Sequence, residues 1–148
     1  MTQHRTLKLF HRLGRVRPVG ELTVGTLVGR GFADLGEEEF VVLTGERLLS
    51  LYTGTVTLLN DVRREHLFSI LSIDQMIAEM RSRGCGIERI ECIEQRRWRC
   101  GVRNEKSNEI VSAESVSLEE SILLVMMQLY GISPEDGVRC LKTEMVNA

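Results

Sequence analysis

Arginine recurs along Arg97-Trp-Arg99-Cys-Gly-Val-Arg103, with Arg89 upstream and Arg96 at the turn between. A strand turns alternate side chains to one face, so Arg97, Arg99 and Arg103 share a surface, with Arg89 alongside. Guanidinium groups on a flat sheet can hold phosphate or an acidic partner through paired N–H groups. The competing reading is a solvated face, with Glu91 and Glu114 as cross-strand partners and the long stems covering apolar ground. Trp98 falls on the opposite side with Cys100 and Val102, which makes it a core anchor.

Other groups that could do chemistry lack the spacing for it. Asp34 with Glu37, Glu38 and Glu39 offers oxygen ligands, but consecutive acids cannot all point inward, and the run reads as a solvated turn. Gly25, Gly29 and Gly31 precede no Gly-Lys-Ser/Thr and show no dinucleotide spacing, so they read as turn glycines. His66 has no serine or cysteine partner in sequence, and no Gly-x-Ser-x-Gly elbow is present. Cys85, Cys92, Cys100 and Cys140 form no CxxC pair and lie far from His4, His11 and His66. They read as buried free thiols rather than zinc ligands. No catalytic residue, cofactor site or metal site is assigned.

The elements that must carry the arginine row are legible in the second half. Ser72-Ile-Asp-Gln75 is a capping box with Leu71 and Met76 in the staple positions, and Ile73, Met76, Ile77 and Met80 follow at helical spacing until Gly84. Three strand-like runs come next, Ile87 to Ile93, Arg97 to Arg103 and Ile110 to Ala113, joined by polar hairpin loops. Ser117-Leu-Glu-Glu120 then starts a helix that Gly131 stops, with Glu120 expected to reach back to Ser117. Leu118, Ile122, Val125, Met126 and Leu129 make one apolar stripe on it, and Leu123, Leu124, Met127 and Tyr130 a second. A helix apolar on two faces must be covered on two faces. The sheet supplies one cover; the rest of the chain or another subunit supplies the other, which makes Leu123, Leu124, Met127 and Tyr130 a candidate oligomer interface. Ser133-Pro-Glu-Asp136 starts a last helix carrying Val138, Leu141 and Met145.

The first half is less regular. Its first twenty residues hold His4, Arg5, Lys8, His11, Arg12, Arg15 and Arg17 and no acid. Such a stretch can be a transit peptide, a nucleic-acid arm or a basic first strand or helix; Leu7, Leu9, Phe10, Leu13 and Val16 favour docking on the body. Glu21 to Val28, Phe40 to Leu43 and Thr55 to Leu59 read as strands. Gly29-Arg-Gly31 and Asp34 to Gly36 read as turns, Gly45 to Tyr52 as one or two helical turns, and Asn60 or Asp61 as the cap of a helical stretch through Ile70. The expected fold is α+β: a three-stranded antiparallel sheet with helices on one face, in the order α-β-β-β-α, plus a smaller, mostly β N-terminal lobe. The expected lobes are 1–71 and 72–148, packed together.

Composition narrows the function classes. The 148 residues are 43% hydrophobic and 27% charged with two prolines, the signature of a folded globular chain, and the net charge of −2 argues against a generally nucleic-acid-coated surface. With no signal-peptide pattern and no apolar run of the ~20 residues that span a bilayer, the expected setting is the cytoplasm, away from membranes. The order helix, three antiparallel strands, helix is also that of double-stranded-RNA-binding domains, which place basic residues at the start of the last helix. Here that position holds Glu119 and Glu120, which repel phosphate.

From Ile73 to Gly131, the capped helix, Trp98-Arg-Cys-Gly-Val102, the polar hairpin, Ser112-Ala-Glu-Ser-Val-Ser117 and the aliphatic helix after Leu118-Glu-Glu resemble small bacteriophage and prophage accessory proteins built on an α/β (ABA-sandwich-like) domain. Arg99 and Cys100 depart from it, standing where aliphatic or β-branched residues are common. The resemblance implies an accessory protein that works by binding, with no catalytic residues to carry over. The expectation is a non-enzymatic, self-associating protein that binds a macromolecular partner or a small anionic ligand. The alternative is a nucleic-acid-binding module using the basic N-terminal segment and the arginine strand.

Overall fold

In the computed structural model, which describes residues 2–32, 36–134 and 144–145, the chain divides between Ile70 and Leu71 into two units. The N-terminal unit begins with α1 (His4–Leu13), followed by β1 (Leu27–Phe32), β2 (Gly36–Leu43), β3 (Arg47–Ser50), β4 (Val56–Leu58) and β5 (Leu67–Ser69). The strands form one antiparallel sheet in the order β4-β3-β2-β1-β5. The basic N-terminal stretch is thus a helix, and it buries Thr6, Leu7, Leu9, Phe10 and Leu13.

Each face of this sheet has its own cover. On one, Val28, Phe40, Val42, Leu48 and Leu67 form a core cluster against Val19, Leu22, Leu59 and Val62 from the connecting segments. On the other, α1 packs on β1, β2 and β5. Two glycines of β1 make that packing feasible. A Cβ at Gly29 would lie 2.1 Å from the Phe68 ring, and one at Gly31 would lie 2.3 Å from the His11 ring. The two rings stack with centroids 5.0 Å apart. Gly29-Arg-Gly31, expected as a turn, is therefore mid-strand, its bare backbone forming the floor under two aromatic rings.

Acids expected in a solvated turn are likewise in β2. Glu39 is fully buried and accepts from the Thr2 N–H at 2.8 Å and from the Thr2 hydroxyl, and Glu37 meets His11 Nδ1 at 2.9 Å. Asp34 lies outside the described residues. The expected helical turns in Gly45 to Tyr52 are instead β3, because Gly45 and Glu46 both take positive φ and reverse the chain into a hairpin with β2. The stretch expected to be helical through Ile70 holds two 3-10 turns, Leu59–Asp61 and Arg64–His66, and then β5.

The C-terminal unit comprises α2 (Ile73–Ser82), β6 (Cys85–Ile93), β7 (Arg97–Asn104), β8 (Glu109–Ser115), α3 (Leu118–Leu129) and β9 (Glu144–Met145), with sheet order β6-β7-β8-β9. The α-β-β-β-α order is as expected. Ser72 Oγ accepts from the Gln75 N–H at 3.2 Å and Gln75 Oε1 from the Ser72 N–H at 2.8 Å, both halves of a capping box. Ser117 caps α3 by accepting from Glu120 N–H at 3.1 Å, but the Glu120 carboxylate does not return to Ser117; it is buried and accepts from the Ser115 hydroxyl. At the other end Gly131 (φ 72°) closes the helix, with Gly131 N–H bonding Gln128 O and Ile132 N–H bonding Met127 O.

α3 packs on β7, β8 and α2, and every side chain from Ser121 to Met127 has no exposed surface. The last helix expected after Ser133 falls mostly outside the described residues, but Glu144–Met145 pairs with Glu109 and Ile110 of β8 as strand. Among the thiols, Cys85 and Cys100 are buried and Cys92 is exposed, a correction to the expectation that all would be buried; Cys140 is outside the described residues. At the edge strand β6, Cys92 pairs with half-buried Trp98, and Cys100 sits beneath α3, where burial pushes its thiol up to about 11.

Replacing Gly29 with alanine is expected to cost about 2–3 kcal/mol, since the Phe68 ring has nowhere to go in a packed interior. Gly20→Ala, whose added Cβ meets nothing within 4 Å, should be near neutral in the same urea titration.

Candidate interaction surface

The arginine row is where the sequence places it, on the outer face of the C-terminal sheet, but Arg99 and Arg103 already engage their donors with neighbouring side chains. Arg99 donates through Nε to Glu114 Oε1 at 2.9 Å, through its second terminal nitrogen to the same carboxylate, and through Nη1 to Glu91 at 3.3 Å. Arg103 grips both oxygens of Glu88 at 3.0 and 2.6 Å and donates to Asn108 Oδ1 at 2.6 Å. Arg89 lies 3.7 Å from Glu91. These bonds hold the Glu88 carboxyl below its usual range and raise Arg99 and Arg103, in each case through the side-chain hydrogen bond first. With Arg97 the face carries four positive charges against the three of Glu88, Glu91 and Glu114. Arg89, Arg97, Arg99 and Arg103 therefore make a nearly neutral ladder rather than an open anion site, as the cross-strand reading anticipated.

The proposed oligomer interface on α3 also changes character. Leu123, Leu124 and Met127 are fully buried within the single chain, so they are not presented to a second copy. Tyr130 is half-buried, donates its hydroxyl to Glu79 and lies under the Arg83 guanidinium, 3.9 Å from the ring centroid.

Several exposed aliphatic side chains gather elsewhere, at one margin of the N-terminal sheet. Direct cross-strand pairing aligns Leu27 with Val41, Val41 with Leu49 and Leu49 with Val56. Paired residues share a face, so four aliphatic side chains cross β1, β2, β3 and β4 in one row. A parallel row runs Leu43, Arg47, Leu58. Both lie opposite the core cluster, on the face where α1 packs over β1, β2 and β5. At the β4 margin the ribbon is open to water: Val56 is 50% and Leu58 53% exposed, with Leu51 and Tyr52 exposed beside them.

The β3–β4 turn is built to hold this margin in place. Ser50 Oγ donates to Glu38 Oε2 at 2.6 Å and accepts from the N–H groups of Tyr52 and Thr53, and Gly54 takes the left-handed conformation. Burial first, then Glu39, Glu38 and Glu37, raise the Tyr52 phenol, so it stays protonated and uncharged at neutral pH.

Near the β2–β3 turn, on the core side, a groove of about 320 Å³ has an apolar floor of Leu22, Val42, Leu48 and Leu59. Its rim arginines lean on backbone carbonyls, Arg47 Nε on Thr44 O at 2.9 Å and Arg64 on Gly20 O at 2.5 Å. Among the described residues no cluster of histidine, cysteine or carboxylate could hold a metal ion, and no helix is long and apolar enough to cross a membrane. No protein-family model, curated protein or solved structure matches the chain.

Exposed ion pairs contribute little to stability, so Arg99→Ala is expected to cost less than about 1 kcal/mol. In an NMR titration with inorganic phosphate, the Arg97, Arg99 and Arg103 signals are expected to stay in place. Saturable shifts at those residues would restore the anion-site reading.

Proposed function

We propose that this protein is a non-enzymatic accessory binding protein of the phage type, which works by presenting the open half of its N-terminal sheet to a macromolecular partner, self-association included. The observation that carries this reading is the row Leu27, Val41, Leu49 and Val56, which ends in exposed aliphatic side chains at a sheet margin. A contiguous apolar patch on a folded surface costs solubility, and proteins that keep one use it for contact. Charge pairing on the arginine sheet leaves less free positive surface for nucleic acid than the sequence suggests, which favours a protein partner over the alternative of DNA or RNA. The free thiols Cys85, Cys92 and Cys100 support a reducing, cytoplasmic setting.

A photo-crosslinking residue placed at Leu49 or Leu58 in the source cell is expected to capture a defined protein, whereas the same residue at Ser107, on the exposed turn of the other sheet, should not. Equal labelling at all three positions would contradict the reading. Salt-sensitive capture of DNA or RNA by the purified chain, lost on reversing Arg97 and Arg99, would replace it with the nucleic-acid alternative.

A further inference from the structure

We propose that the β4 edge is the contact through which two copies of this chain associate, joining their five-stranded sheets into one ten-stranded sheet about a two-fold axis at Thr57. This deepens the binding reading above and rests on it.

The hydrogen-bond pattern decides which groups face outward. Ser50 N–H bonds Thr55 O at 2.9 Å and Leu59 N–H bonds Glu46 O at 2.8 Å, and the constant register from Arg47↔Leu58 to Leu49↔Val56 shows no bulge between β3 and β4. Antiparallel strands alternate inward-bonded and outward-facing residues, so Thr55, Thr57 and Leu59 bond toward β3 while Val56 and Leu58 turn their N–H and C=O groups away from it. β4 ends the strand order on that side.

Exposed edges are ordinarily blunted by charge, proline, a bulge or brevity. Brevity is the one such device β4 keeps. From Leu51 to Asn60 the sequence is Leu-Tyr-Thr-Gly-Thr-Val-Thr-Leu-Leu-Asn, without a charged residue or proline. That neutrality selects a second copy as the occupant. In an isologous contact each residue near the axis meets its own kind, so a single charge there would face a like charge. Here threonine meets threonine at the axis, and Val56 pairs with Leu58 of the second copy, exchanging both backbone hydrogen bonds twice over by symmetry. Val56 and Leu58 are also the open ends of their rows, so the joint brings one copy's Leu27-Val41-Leu49-Val56 row against the other's Leu58 and takes aliphatic side chains that are half exposed in the single chain out of water.

Light scattering on the purified full chain at tens of micromolar is expected to show a dimer. The double variant Val56→Lys, Leu58→Lys, altered at exposed positions, should keep the wild-type circular dichroism spectrum and dissociate, with dimerisation weakened by about 30-fold or more, the factor of a hot-spot loss. Thr57→Cys in a Cys92→Ser background should oxidise to a symmetric covalent dimer. A wild type that stays monomeric, a lysine variant that stays dimeric, or a dimer that Thr57→Cys fails to trap would overturn the proposal. A monomer that still captures a foreign protein at Leu49 sinks the second copy and leaves the proposed function standing; a β4 dimer whose sheet face captures no other protein confines that function to self-association.

Discussion

Removal of aliphatic surface from water is the interaction on which the rest of this structure depends, and the chain meets it in one element and leaves it unmet in another. In α3 every side chain from Ser121 to Met127 is fully buried. Burying one such leucine or methionine side chain is worth roughly 1.5–3 kcal/mol, which makes this helix the largest single apolar contribution in the C-terminal unit. Its ends are fastened accordingly, by the Ser117 cap and by the paired hydrogen bonds around Gly131. In the N-terminal sheet the row is half-buried from Leu27 to Leu49 but, among the described residues, open to water at Val56, although the same physics applies to it.

Polar groups follow the complementary rule, that a charge leaving water needs a partner. Glu39 is fully buried and takes both polar groups of Thr2; Glu37 takes His11; the arginines of β7 take Glu88, Glu91 and Glu114. Two of these pairings fix α1 to the sheet from opposite ends of the helix, while the glycine floor of β1 lets the His11 and Phe68 rings settle against the backbone. The arginines of β7 at Arg99 and Arg103 are thus committed to neighbouring acids, while Val56 and Leu58 stand open at the β4 margin.

How much of this is legible in the sequence depends on how local the signal is. The capping box at Ser72, the alternation of β7 and the start and stop of α3 are each contained within a few residues, and the structure matches them. The N-terminal unit is set by tertiary contacts. Gly29 and Gly31 are bare because rings from α1 and β5 press on them, Glu46 takes a positive φ that its side chain does not advertise, and Glu39 is buried because Thr2 reaches it from 37 residues away. The apolar row is hidden in the sequence for the same reason. Leu27, Val41, Leu49 and Val56 belong to four different strands, with no periodicity linking them, and only the strand register places them side by side. The arginines were visible because they share one strand, but their acidic partners come from β6, β8 and the bulged register near Glu88, which is why the row reads as a binding site in one dimension and as a neutral ladder in three.

The molecule sets a sealed helix against an open sheet margin. Hydroxyl-radical footprinting of the dilute native chain, read residue by residue by mass spectrometry, tests it most directly. Heavy labelling is expected at Leu51, Tyr52 and Leu58, and almost none at Leu123, Leu124, Met126 and Met127 until the protein is unfolded. Rapid labelling of Met126 and Met127 in the folded state, or protection of Leu58 and Tyr52 in the dilute chain, would contradict it.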